Sequence, residues 1–311
     1  MNWGILGFGY MGKKFLSESK KVGFINVVAV ASLSQKLVKD ESIQFFSNYE
    51  ELINNSNLDG LYISTIPTKH VNLIKLGVSK NIPILCEKPL FFSRQEIAEI
   101  EKLSISSYVS ENITFMFNPR ITELIYEIKN GLMGNLSEVR IELQRKLSPS
   151  ARFRIMTNLT SRGALHDYGM YGIYFLNVLF EDLSIIDHAL KYEESNDFEG
   201  CVSLLGNGNV ECKLIYSIQF EKGNEIFING SKGSVRIKNF LSDNIEVFFE
   251  NKSDSITVYK NYESNFYSNF ARVISVVSQN IMSKNIESIY TPLSTSINTA
   301  KLVFEIIDDK L

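Results

Sequence analysis

A strand-like run, Asn2–Gly7 (NWGILG), leads directly into Gly7-Phe8-Gly9-Tyr10-Met11-Gly12 and then into helical spacing over Gly12–Lys21. Three glycines at this spacing between a strand and a helix leave few folds open. Gly7 permits a tight turn, Gly9 lets a ligand approach the backbone, and Gly12 lets helix and strand pack closely. A helix starting here presents unpaired N–H groups and the positive end of its dipole, which suits a pyrophosphate. The loop predicts a dinucleotide site lined by Gly7, Gly9, Tyr10, Met11 and Gly12.

The residues that follow keep the same rhythm. Asn26–Ala31 (NVVAVA) is a β-branched strand, and the runs at 43–46, 59–64 and 82–85 repeat it, with helical patterns around 69–80 and 93–107. Near-continuous apolar strands separated by helices indicate a parallel sheet covered on both faces. Right-handed crossovers then make a doubly wound sheet the expected topology.

After about residue 133 the pattern changes. Leu136–Leu147 alternates over a long stretch, and strands are expected near 184–192, 198–205, 210–219, 225–229, 234–238 and 244–249. Helices are expected at about 163–180, 265–283 and 293–308. Gly and Asn turns between the strands suggest antiparallel pairing. The fold expected is therefore α/β, an N-terminal doubly wound domain over residues 1–118 and a C-terminal α+β domain over 119–311. The second domain would carry a large, mostly antiparallel open sheet, and helix 293–308 could complete the first.

Composition narrows the partners. Hydrophobic residues make up 44% of the 311 and charged residues 22%, enough for a sizeable core. Lys+Arg 32 against Asp+Glu 35 gives −3, with no basic tract, so no nucleic-acid partner is expected. A strand beginning at Asn2 and no apolar run near membrane-spanning length argue for a cytoplasmic protein with no membrane partner. Cys86, Cys201 and Cys212 lack metal-ligand spacing, as do His70, His166 and His188, and no metal is expected.

The end of the second strand bears on which dinucleotide binds. A carboxylate there would bind a ribose 2′-hydroxyl and favour NAD. This chain has Ala31-Ser32-Leu33-Ser34-Gln35-Lys36 instead. Nothing acidic repels a 2′-phosphate, Ser32 and Ser34 could donate to one, and Lys36 could supply charge. NADP is the preferred expectation, with NAD the alternative.

Further segments carry a family resemblance. They are Tyr62-Ile63-Ser64-Thr65-Ile66-Pro67-Thr68-Lys69-His70, Cys86-Glu87-Lys88-Pro89, Gly163-Ala164-Leu165-His166-Asp167-Tyr168-Gly169-Met170-Tyr171 and the turn Gly230-Ser231-Lys232-Gly233-Ser234. With the glycine loop, in this order and at these separations, the chain resembles the Gfo/Idh/MocA family of NAD(P)-dependent oxidoreductases. It is most similar to the subgroup with tyrosine at the Tyr171 position, that of glucose–fructose oxidoreductase and dimeric dihydrodiol dehydrogenase.

The resemblance implies hydride transfer between nicotinamide and the carbonyl or hydroxyl carbon of a sugar, polyol or sugar derivative. It implies that Lys88 polarises the reacting oxygen, helped into place by Pro89, and that Thr65, Pro67, His70 and Glu87 lie on the cofactor side. Asp167 and Tyr171, i and i+4 on the expected helix, would share a face. Asp167 would orient Lys88 or bind a substrate hydroxyl, and Tyr171 would move the proton that accompanies the hydride. Lowering a phenol from about 10 to about 7 takes roughly 4 kcal/mol, which nearby positive charge can supply. Arg154 resembles the family's arginine ahead of the catalytic helix and would bind substrate.

His166 points elsewhere and is expected to pack or line a rim. Two positions depart from the family pattern: Arg162 replaces a small residue, suggesting a smaller or more anion-friendly pocket, and Met116 replaces an arginine. Other chemistries on the same frame are a glycosidase using tightly held NAD transiently and a non-catalytic dinucleotide-sensing regulator. The family also implies a homo-oligomer, dimer or tetramer, formed through the C-terminal sheet.

Overall fold

The computed structural model describes residues 1–33, 40–103, 105–157, 160–251, 257–261 and 268–309, with 257–261 as backbone. In chain order the first elements are β1 (Asn2–Leu6), α1 (Tyr10–Ser19), β2 (Asn26–Ala31), β3 (Gln44–Phe46), α2 (Tyr49–Asn55) and β4 (Gly60–Ile63). After these come α3 (His70–Ser79), β5 (Ile84–Cys86), α4 (Arg94–Glu101), β6 (Val109–Glu111), α5 (Pro119–Lys129) and β7 (Leu136–Gln144). The chain continues with α6 (Pro149–Met156), α7 (Met170–Leu179), β8 (Leu183–Glu193), β9 (Asn196–Gly206) and β10 (Val210–Ser217). Last are β11 (Gly223–Gly230), β12 (Gly233–Lys238), β13 (Glu246–Asn251), β14 (Thr257–Asn261), α8 (Asn269–Met282) and α9 (Leu293–Asp308).

The chain divides into two compact units, one of Met1–Phe117 with Phe266–Ser296, the other of Asn118–Asn265 with Ile297–Leu311. The first unit holds a parallel six-stranded sheet in the order β3-β2-β1-β4-β5-β6. This is the doubly wound order in which the connections after β1 and β4 leave on opposite faces and open a crevice at the strands' carboxyl ends. All four residues of β4 and all three of β5 are buried, as strands covered on both faces require.

Aromatic packing places α8 in this unit. Phe15 of α1 stacks on Tyr62 of β4 with ring centroids 4.2 Å apart, and Trp3 stands 5.3 Å from Phe15. Phe270 of α8 closes the group edge-on to Phe15 and Tyr62, at 6.4 and 6.2 Å. The boundary drawn from sequence assigned 266–296 to the second domain. A helix buried against strands more than 200 positions earlier carries no local mark of its address. Helix α9 crosses the division, its first turn in one unit and the remainder in the other.

The second unit is built on an eight-stranded sheet ordered β14-β13-β12-β11-β7-β10-β9-β8. Its pairings are antiparallel except for β7 with β10, which run parallel. Alternation sets one face against α7: Val210, Cys212, Leu214 and Tyr216 of β10 are buried while Glu211 and Lys213 are exposed. Gly172 of α7 sits so close to the sheet that a Cβ would meet Leu214 at 2.6 Å. The opposite face carries charge, including the pairs Arg140–Glu142 at 2.5 Å and Arg236–Glu225 at 3.1 Å.

Several helices escaped the sequence reading although their start signals are plain. Asn118 caps α5 by accepting from the Arg120 amide, with Pro119 at the first position. Ser148 and Pro149 do the same for α6. The helix expected over 163–180 instead opens with a π-helical turn, Leu165–Gly169, before α7.

Candidate active site

In the first unit the carboxyl edge is organised by the glycine loop. Gly7 has φ of +90°, and its N–H donates to the Ala31 carbonyl at 2.9 Å, tying β1 to β2. The Ser64 hydroxyl donates to the Gly7 carbonyl at 2.7 Å, which draws the loop after β4 against it. A Cβ on Gly12 would stand 2.2 Å from the Gly7 oxygen, so only glycine lets α1 begin so close to β1. Gly9 differs. A Cβ there would have nothing within 4 Å. The helix it precedes has no side-chain cap and no acid in its first turn. Its leading N–H groups therefore face open space of the kind a pyrophosphate occupies. Tyr10 is 80% exposed at the head of α1, and Ile66 is exposed on the loop after β4. A dinucleotide fits this edge.

Other expected cofactor residues fall into distinct surroundings. Thr65 is half-buried, and Pro67 is buried at the head of the 3-10 turn that precedes α3. His70 is fully buried, its Nδ1 3.0 Å from the Pro89 carbonyl and its Nε2 3.2 Å from the Thr65 carbonyl. It joins the loops after β4 and β5 from below and offers no surface to a ligand. Burial pushes its pKa down to about 4, so it is neutral at pH 7. Ser32 is buried at the end of β2, and its N–H donates to the Phe46 carbonyl at 3.1 Å. Lys36 lies outside the described residues.

Lys88 follows β5 immediately. Its neighbour Glu87 is buried and accepts from the Tyr62 hydroxyl at 2.5 Å and the Asn112 amide at 2.6 Å. The Lys88–Pro89 peptide is cis. Across the segment Glu87–Leu90, only Lys88 is not buried. Cys86 is fully buried, and burial pushes its thiol well above the usual range.

In the second unit the segment before α7 is set by a buried acid from β9. Gly163 has φ of +97°, and the Asp197 carboxylate accepts the Leu165 amide at 2.8 Å. Asp167 pairs with Arg145 at 3.4 Å, and the Arg145 guanidinium lies 4.5 Å over the Tyr168 ring. Tyr171, half-buried, stands edge-on to Tyr168 at 6.3 Å. Arg145, Asp167, Tyr168 and Tyr171 thus form one group, centred on a ring that carries a cation on its face. Asp167 lies in the π-helical turn and Tyr171 in the α-helix that follows it.

Arg145 and Tyr168 were not singled out from sequence. The available signal was the pair Arg145-Lys146 ending a long alternating strand. His166 is buried, its Nδ1 accepting from the Arg162 amide at 3.0 Å, and its ring packs on Phe304. The Arg162 guanidinium pairs with Asp308 at 2.9 Å and lies over Phe304. Its charge serves the end of α9, contrary to the anion-friendly pocket suggested by its bulk. Arg154 is exposed near the end of α6. Among the described residues no three His, Cys, Asp or Glu side chains are grouped to hold a metal. No described helix is long and apolar enough to cross a membrane.

Comparison with known proteins agrees with this architecture. Residues 1–108 match the family model for an oxidoreductase family with an NAD-binding Rossmann fold, GFO_IDH_MocA. The human trans-1,2-dihydrobenzene-1,2-diol dehydrogenase is 26% identical over 253 residues, covering 77% of this chain and 75% of that protein. Among solved structures, the 3-ketoreductase KijD10 of Actinomadura kijaniata, in complex with NADP and TDP-benzene, superposes with a TM-score of 0.84. It is 18% identical, over 97% of this chain and 95% of its own. The aldose-aldose oxidoreductase of Caulobacter crescentus, complexed with glycerol, gives 0.85 at 16% identity, over 99% and 96%. Fold, nucleotide loop and relatives together define a two-domain NAD(P)-dependent oxidoreductase. Residues 1–108 carry the match to the Gfo/Idh/MocA family model, and the similarity to dihydrodiol dehydrogenases and to KijD10 extends beyond them.

Proposed function

We propose that the protein transfers a hydride between nicotinamide and the carbonyl or hydroxyl carbon of a sugar, polyol or sugar derivative, with NADP the preferred dinucleotide. The observation that carries this reading is Lys88. It is the one incompletely buried residue of a tightly held segment at the carboxyl end of β5, on the edge that bears the glycine loop.

The open backbone at Gly9 and the uncapped start of α1 would hold the pyrophosphate. A bound nicotinamide supplies or accepts the hydride. Lys88, as an ammonium, donates a hydrogen bond to the reacting oxygen and stabilises the charge that grows there. The Tyr171 hydroxyl moves the proton at the same oxygen. Asp167, anchored by Arg145, binds a substrate hydroxyl. The lack of an acid after β2 supports the 2′-phosphate preference, and the dehydrogenase and ketoreductase relatives support a polyhydroxylated or keto substrate. Pairing through the open face of the second sheet is proposed as the route to an oligomer.

Binding is tested by titrating NADPH and NADH while following the fluorescence of Trp3, the single tryptophan. NADPH should bind more tightly. Turnover of sugars and keto-sugars should then fall about 100-fold or more in Lys88→Ala and in Tyr171→Phe. Full turnover in both variants would sink the assignment of roles, and absence of binding by either dinucleotide would sink the whole reading.

A further inference from the structure

Beneath Lys88 lies a set of buried ionisable groups that hydride transfer does not use. Strands β5 and β6 run parallel with Cys86 opposite Glu111. Glu111 is 2% exposed, and one of its carboxyl oxygens accepts the Leu90 N–H at 2.9 Å. The next residue, Asn112, donates its backbone N–H to the Cys86 carbonyl at 2.7 Å and its side-chain amide to Glu87. Segment Glu87–Leu90 is therefore held by a carboxylate at each end and by His70 at the Pro89 carbonyl.

Two carboxyl groups in one dry cluster do not both ionise without cost. The groups that face them are Lys88 from the same segment, Lys14 of α1, Tyr62 of β4 and Cys86 of β5. Burial pushes Glu87 above the usual carboxylate range, opposed by its donors Tyr62 and Asn112 and by both lysines. Burial pushes Glu111 up to about 7, opposed by the Ser296 hydroxyl of α9, the Leu90 N–H and Lys88, with the charge on Glu87 adding to the rise. Glu111 therefore changes charge near neutrality.

We propose that Glu111 is a positioning residue for Lys88, its carboxyl clamping the Leu90 backbone and its charge governing how strongly the Lys88 ammonium is held. The inference deepens the hydride-transfer reading and rests on it only for the importance of Lys88.

The test needs no turnover. Acylation of Lys88 in competition with Lys80, an exposed lysine just after α3, is followed by peptide mass spectrometry between about pH 6 and 10. The wild-type profile for Lys88 should carry a second inflection near pH 7, where Glu111 changes charge. Glu111→Gln should lack that inflection, and its Lys88 midpoint should fall by about half a pH unit or more. Glu111→Asp retains the charge on a shorter arm. It should keep the inflection while Leu90 amide exchange quickens about tenfold. Superimposable Lys88 profiles in wild type and Glu111→Gln, with both chains folded, would overturn the proposal. Lys88→Ala turning over like wild type would instead remove the hydride-transfer reading and leave the linkage between Glu111 and Lys88 intact.

Discussion

The Asp197 carboxylate occupies the place that a side chain on Gly163 would need, its Oδ1 2.0 Å from where a Cβ would stand, while its Oδ2 accepts the Leu165 amide at 2.8 Å. A buried acid from the second sheet therefore sets the turn that carries Asp167 and Tyr171. Gly163→Ala combines that clash with an unfavourable positive φ and should cost about 2–4 kcal/mol, measured by denaturant unfolding. Asp197→Ala leaves the Leu165 N–H buried and unpaired and should cost about 1–3 kcal/mol. A stability loss under about 0.5 kcal/mol in both would show that the turn is held by something else.

Gly9 separates ligand binding from folding. Its φ is −77° and a Cβ would touch nothing, so Gly9→Ala should leave the melting temperature unchanged within about 1–2 °C. The same methyl would stand where the pyrophosphate comes, and dinucleotide affinity should drop about tenfold or more. Gly12→Ala meets the Gly7 oxygen and should lose stability and binding together. Thermal melts with and without dinucleotide distinguish the two; unchanged affinity in Gly9→Ala would place the phosphates elsewhere.

His70 and Glu111 work against each other as pH changes. His70 is depressed from 6.5 to about 4 by burial, so its contribution to stability is complete above pH 6.5 and disappears as pH falls towards 4. Glu111 is raised from 4.5 to about 7 by burial, so its contribution is complete below pH 4.5 and disappears as pH rises through 7. Between 4.5 and 6.5 the two slopes have opposite signs, each at most about 1.4 kcal/mol per pH unit. Relative to wild type, Glu111→Gln should become more stable with rising pH across this window, and His70→Gln less stable. Unfolding midpoints in urea across the window provide the measurement. Parallel curves for wild type and both variants would refute it.

Arg145 holds Asp167 and covers Tyr168, yet is itself 45% exposed. As a partly exposed ion pair it should contribute no more than about 1 kcal/mol to stability. Its loss should be felt in catalysis, since Asp167 and the Tyr168–Tyr171 pair share its support. Arg145→Met should lower kcat about tenfold with little change in melting temperature, and Arg145→Lys should recover part of it. A kcat equal to wild type in Arg145→Met would limit Arg145 to the surface.

Much of this protein was legible in its linear order. Glycine spacing after β1, β-branched runs at regular intervals and the change to alternation near residue 136 are local patterns, and local patterns specify local backbone. They led to the doubly wound sheet and to the largely antiparallel second sheet, while Lys88, Asp167 and Tyr171 became candidates through the family resemblance of the motifs that hold them. Tertiary structure alone decided the partners. The packing of α8 under β4, the parallel pairing of β7 with β10, Arg145 on Asp167 and Glu111 on the Leu90 amide each join residues distant in sequence. Their side chains, taken singly, are ordinary. An arginine after a long strand or a glutamate ending a short one has no distinguishing neighbour in the sequence. It acquires one only when burial removes water and leaves a single donor or acceptor within reach.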